Sequence, residues 1–156
     1  MIYLRTCMRT RFQRAENTDK FDWLEDYHSN IGEIMAEITY SDALNHALKE
    51  EMRRDEKVFL MGESIRGGIY GVTGGLSQEF DERVIDTPLA ENGFMGAAVG
   101  AAAVGMRPIV QSLASFAWVA MDQLVSQAAK MRFMFGGQVN LPIVYRWGLL
   151  YGNNAA

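Results

Sequence analysis

The stretch RVIDTPLAENGFMGAAVGAAAVGMRPIV, Arg83 to Val110, decides the fold. It opens with a short apolar run that Pro88 stops. After Glu91 come fifteen residues without a charge, Asn92 to Met106, and most of them are Gly or Ala. Arg107-Pro108 then leads into a second apolar run, PIVQS. Short apolar runs bounded by breakers read as buried strands, and the small-residue stretch between them reads as a helix, from about Ala90 to Gly105. That helix is shorter than the ~20 apolar residues needed to span a bilayer. A buried helix joining two strands is the crossover that a parallel pair requires.

The same alternation continues outward. Upstream, Ser41 is placed to cap a helix with apolar positions at Ala43, Leu44, Ala47, Leu48 and Met52, ending near Arg54-Asp55. KVFLMGES, from Lys57, reads as a strand. RGGIYGVTGGL, from Arg66, reads as a glycine-rich loop before a short helix through Leu76 to Phe80. Downstream, FAWVAMDQLVSQAAKMRFMFGG, from Phe116, predicts one long amphipathic helix with Leu124, Ala128 and Met131 on a common face and Gly136-Gly137 at its end. LPIVYRW, from Leu141, predicts the last strand. Strands alternating with helices give an α/β fold with a mostly parallel sheet flanked by helices. Ligands in such sheets bind beyond the carboxyl ends of the strands, which is where Glu91 falls.

Composition narrows the function. The chain has 156 residues, 49% of them apolar and 22% charged, with a net charge of -4. No basic stripe with interleaved aromatics suggests a nucleic-acid partner, and no segment suggests a membrane span. Cys7 is the single cysteine, so no internal disulfide forms. His28 and His46 lack metal-ligand spacing. Residues 1–37 differ from the rest. Arg5, Arg9, Arg11 and Arg14 open the chain without an acid, and seven acids follow over residues 15–37 with only Lys20 as a base. They read as an irregular N-terminal extension, with a mitochondrial presequence or an alternative start at Met35 as other readings. Residues 38–156 are expected to form the folded domain.

Glu91 has two readings. An acid in the first turn of a helix is favoured by the macrodipole, by about 0.3–1 kcal/mol. The glycines after it point further. Gly96, Gly100 and Gly105 each cost about 1 kcal/mol against Ala inside a helix, and the usual reason to accept that cost is close approach of another backbone. A lone acid walled by Phe94, Met95 and a neighbour is placed to hold or share a proton with a ring nitrogen of a ligand.

These residues resemble the beta subunit of the thiamine-diphosphate-dependent component of 2-oxo acid dehydrogenase complexes, of the pyruvate, acetoin or branched-chain type. The pieces that carry the likeness are ITYSDALNHALKEEMRRDEKVFLMGE, YGVTGGL, the Arg83–Val110 stretch, AMDQLVSQAAKMRFMFGGQ and LPIVYR, in order over roughly Ile38 to Arg146. The resemblance implies a transketolase-like pyrimidine-binding domain with a thiamine-binding α/β fold. It implies that Glu91 is catalytic, bonding a pyrimidine nitrogen of the cofactor, and that Phe116 packs on the pyrimidine ring. Ile143 matches a position whose carbonyl helps hold a potassium ion in some members. Two local departures stand out. The RPIVQSLASF segment is one residue shorter than the common pattern, and Gln111 stands where members commonly carry an acid.

The resemblance also implies partners. Magnesium and the diphosphate are held in this family by a Gly-Asp-Gly motif on the alpha subunit, and no Gly-Asp-Gly occurs here. An alpha subunit, a second beta subunit in a heterotetramer, and a lipoyl-bearing transferase component are expected, in the cytoplasm or, alternatively, the mitochondrial matrix. The family places a catalytic histidine in a glycine-rich loop downstream of the arginine matching Arg146. The ten residues after Arg146 hold no histidine. The chain alone is therefore expected to be incomplete as an enzyme, and a non-catalytic interaction module of the same fold is the alternative.

Overall fold

A computed structural model describes residues 38–68 and 71–149. The extension at residues 1–37, the alternative start at Met35 and the tail from residue 150 lie outside the described residues. The first helix, α1, is Tyr40–Arg54. Thr39 caps it rather than the expected Ser41, because Thr39 holds the extended backbone of a cap and its hydroxyl oxygen accepts the Asp42 N–H at 3.1 Å. Leu48 and Met52 are its buried residues. Strand β1, Val58–Gly62, is buried along its whole length, as a central strand of a parallel sheet should be. Helix α2, Leu76–Phe80, leads through a 3-10 turn into β2, Val84–Asp86. Helix α3, Glu91–Ala103, is the Gly/Ala stretch, and β3, Arg107–Leu113, follows it. Strand β4, Val144–Gly148, ends the described fold.

The four strands lie in the order β2-β1-β3-β4, and all pairs are parallel. Alternation along β1 divides the core. Val58 and Leu60 join Leu48, Met52, Leu76 and Val84 on the α1 side. Phe59 and Met61 join Phe94, Met95, Ala98 and Val110 on the α3 side. Arg83 locks the first layer. Its guanidinium donates to the carbonyls of Met52 at 2.8 Å and of Asp55 and Val58 at 3.2 Å, and it lies 5.0 Å from the Phe80 ring centre. One cation thereby satisfies the Met52 carbonyl in the last turn of α1, which the helix itself leaves unpaired, and ties the helix end to the start of β1.

The long helix expected from Phe116 is instead three windings. A 3-10 segment runs Ala114–Ala120, a π-helical segment Asp122–Ala129, and a short α-helix, α4, Lys130–Met134. Sequence periodicity near 3.6 does not separate these, because Leu124 and Ala128 stay on the inner side in either winding. The expected stop is present: Gly136 and Gly137 have φ of 60° and 84°, and the Gly137 N–H donates to the Arg132 carbonyl at 2.8 Å. The glycines of α3 also divide. Gly96 lies beside Gln123, whose Cγ would be 3.4 Å from an added Cβ, and Gly100 faces open space. Gly105, with φ of 94°, lies beyond the helix end.

Candidate active site

The carboxyl ends of β1, β2 and β3 bring three side chains to one edge of the sheet. Glu63 follows the last residue of β1, Gly62. Glu91 opens α3, five residues beyond the Asp86 end of β2. Phe116 lies in the 3-10 segment directly after β3 and is half-buried. Ile143 is elsewhere. It precedes β4, so it lies at the amino edge of the sheet, and its side chain packs against the α3-side core. Glu91 and Phe116 thus share an edge, and Ile143 does not join them.

The two acid-bearing segments are joined directly. The Thr87 N–H donates to the Gly62 carbonyl at 3.0 Å, and the Arg66 N–H donates to the Asp86 carboxylate at 2.9 Å. Gly62 has to be glycine: an added Cβ would stand 2.3 Å from the Gln111 carbonyl oxygen. Two residues later Ser64 takes a φ of 53°, which places a non-glycine residue in the left-handed region. Left-handed backbone at a residue other than glycine is rare, and it clusters where a side chain must be aimed.

Glu63 is what that turn aims. Its carboxyl is half-buried, and its Oε1 is sealed from solvent without a hydrogen-bond partner. Burial pushes its pKa above the usual carboxylate range, and the charge of Glu91 pushes it further. Two acids therefore meet at the sheet edge, and Glu63 holds its proton more tightly than an ordinary glutamate. Such a pair can accept a hydrogen bond at one carboxyl and donate one from the other. In the sequence, Glu63 reads only as the tail of the KVFLMGES strand. The signal was available: it is an acid directly after a buried strand, as Glu91 is an acid soon after the next.

Helix α3 has no side-chain cap at Ala90, and Glu91 is the acid of its first turn. On the other side of the sheet Gln111 is 5% exposed, beside Gly62 and Arg146 in the strand register, and its Oε1 has no partner. On the α3 side the Ser112 and Tyr145 hydroxyls and the Gln123 carbonyl are likewise buried and unpartnered. Burial pushes the Tyr145 phenol up to about 12, so it stays a neutral donor. Among the described residues, no group of three or more His, Cys, Asp or Glu side chains could hold a metal ion. No described helix is long and apolar enough to cross a membrane.

Comparison with known proteins bears on this edge. The family model "Transketolase, pyrimidine binding domain" matches residues 36–156. The pyruvate dehydrogenase E1 component subunit beta of Rickettsia bellii is 54% identical over 114 residues, which cover 70% of this chain and 35% of that protein. The 2-oxoisovalerate dehydrogenase subunit beta of Bacillus subtilis is 46% identical over 116 residues, covering 72% and 36%. The acetoin:2,6-dichlorophenolindophenol oxidoreductase subunit beta of the same organism is 45% identical over 125 residues, covering 70% and 36%. The chain spans about a third of the length of the curated relatives it matches.

Proposed function

The chain belongs to the transketolase pyrimidine-binding domain family, and from that premise we propose that it is the pyrimidine-holding part of a thiamine-diphosphate-dependent 2-oxo acid dehydrogenase beta subunit. The observation that carries the reading is the pair of carboxyls at adjacent strand ends, with Glu63 pushed toward its protonated form by burial and by Glu91. The residues fit an aminopyrimidine. Glu91, at the mouth of α3, is placed to hydrogen-bond a ring nitrogen and to hold or pass a proton there. Glu63 presents a buried, unpaired oxygen beside it. Phe116, half-buried past the end of β3, is placed to cover the ring face and keep water off it.

When bound, the cofactor supplies the electron sink for decarboxylation of a 2-oxo acid. The chain's own contribution is to orient the pyrimidine, exclude water and manage one proton at Glu91. The relatives are named as beta subunits, which supports an alpha subunit as partner; the proposal adds that this partner holds magnesium and the diphosphate, that a second beta subunit completes a heterotetramer, and that a lipoyl transferase component accepts the acyl group. Exposed Trp118 and Phe133, 75% and 89% accessible, support a partner on the α3 side. Ile143 is proposed as a carbonyl ligand of a structural potassium ion at the opposite edge, apart from the chemistry.

The test is Glu91→Gln in a complex reconstituted with its alpha partner. We expect decarboxylation to be lost, with assembly by size-exclusion chromatography unchanged. Full activity would remove the proton role and leave the domain as an interaction module.

A further inference from the structure

We propose that Arg66 is a positioning residue, a strap that ties the turn carrying Glu63 to the segment carrying Glu91 and sets the separation of the two carboxyls. The proposal rests on the reading of Glu91 given above. Arg66 spends both its backbone and its side chain on the neighbouring segment. Its N–H donates to the Asp86 carboxylate at 2.9 Å. Its guanidinium donates to the carbonyls of Asp81 at 2.8 Å and Val84 at 2.9 Å, and it pairs with the Asp81 carboxylate. Its own carbonyl accepts the Ser77 hydroxyl at 3.1 Å. Together these bonds fasten the residue to both ends of β2 and to α2.

What lies between the two anchors is short and strained. Gly62 is held at one end by its close approach to Gln111 and by the Thr87 N–H. Arg66 is held at the other. Between them Ile65 is fully buried and Ser64 keeps its left-handed backbone. A non-glycine residue keeps that conformation only where its surroundings over-determine it. The exposed Arg66–Asp81 ion pair contributes little by itself. The two carbonyls and the Asp86 acceptor fix the geometry. Released at Arg66, the turn can relax at Ser64, and Glu63 can swing out to water.

The charges near Glu63 make the test discriminating. Glu91 faces it from α3, Arg66 lies on its own turn, and Asp86 and Asp81 lie on the segment around β2. Removing a cation raises a neighbouring carboxyl's pKa by electrostatics alone. Loss of the strap does the reverse, because Glu63 leaves both its burial and Glu91. The measurement is the titration of the Glu63 carboxyl by carbon-detected NMR on the full chain, in Arg66→Ala against the parent. We expect Glu63 in the variant to titrate lower, nearer a free glutamate. An unchanged or higher value overturns the proposal.

Should Arg66→Ala fail to fold, Asp86→Ala against Asp86→Asn decides instead. Both remove the charge, and only the alanine removes the acceptor of the Arg66 N–H. Glu63 titrating lower in the alanine variant supports the strap, and equal values overturn it. In the reconstituted complex, Arg66→Ala should lower kcat by up to about a hundredfold, the scale of an ångström-sized misplacement, with KM for the 2-oxo acid held. If Glu91→Gln is fully active while Arg66→Ala shifts Glu63, the functional reading fails and the strap stands. If Glu91→Gln is inactive while Glu63 titrates as in the parent, the strap fails and the reading stands.

Discussion

The two faces of the sheet are finished differently. On the α1 side the chain ties its own polar ends. Arg83 closes three carbonyls, Arg53 pairs with Glu79 at 2.6 Å, and the Asn45 amide donates to the carbonyls of Val72 at 2.7 Å and Gly74 at 2.9 Å. On the α3 side, Val104, Trp118, Val119, Phe133, Met134 and Phe135 are exposed. Unpaired buried oxygens occur on both faces, at Thr73 and Gln111 on one and at Ser112 and Tyr145 on the other. The apolar surplus is what separates them. A face that supplies its own ties is complete as it stands, and a face that exposes a run of large apolar side chains has the makings of an interface core.

Substitutions of decreasing effect can break or sharpen that contrast. Met52 is fully buried on the complete side, so Met52→Ala should cost about 2–5 kcal/mol in urea unfolding of the chain. A cost below 1 kcal/mol, on the order of a surface change, would mean that this core is loose. Arg83→Met keeps much of the side-chain volume but removes a donor shared by three carbonyls, of which Asp55 keeps the Val58 N–H, and should cost about 1–3 kcal/mol by the same measurement.

Glu63→Gln tests the site between the faces, and its sign follows from linkage. The carboxyl is pushed up in the folded protein, by burial first and by Glu91 second. Between the ordinary glutamate range and the raised value, the folded chain therefore binds more proton at this group than the unfolded chain does. The stability this group contributes is fully present below the ordinary glutamate range and is lost as pH rises through the raised value. Glu63→Gln should therefore resist urea better than the parent at neutral pH, and the gap should close near about pH 4, where an unfolded glutamate takes up its proton. Equal stability at neutral pH would mean that Glu63 ionises there without penalty. Smallest of all, Phe133→Ser on the exposed side should change the stability of the chain by less than about 0.5 kcal/mol and weaken assembly with the alpha partner in a pull-down. A large stability loss would show that the aromatic belongs to the fold.

Much of this was legible in the sequence for physical reasons. The β2–α3–β3 unit was readable because its strands are short apolar runs bounded by Pro88 and Arg107, and the uncharged Gly/Ala run between them has the length of a crossover helix; that it buries one face and leaves Ala97 and Gly100 on an exposed one was not. Glu91 was readable because it is the one acid beside that run. The cap at Thr39 was not, since Thr39 and Ser41 carry the same hydroxyl chemistry and only the backbone tells which one leaves the helix. The changes of winding over Ala114–Met134 were not, because an inner face with Leu124 and Ala128 suits both an α and a π register. Glu63 was hidden for a different reason. Its importance lies in a neighbour, Glu91, that becomes its neighbour only when β1 and β2 pair.

That last point has a counterpart in time. Among the described strands none pairs with one that a tight turn could bring beside it: Leu60 meets Val84 on one side and Ile109 on the other, and Ile109 meets Val144. Every ladder waits on the closure of a long loop, which is slow. While the chain is being made, Val58–Gly62 has emerged and is wholly apolar, yet its second neighbour is still to come. Of the two inner strands, β1 is thus the one left longer without its second partner, and a nascent chain stalled before β3 would expose a segment prone to stray pairing.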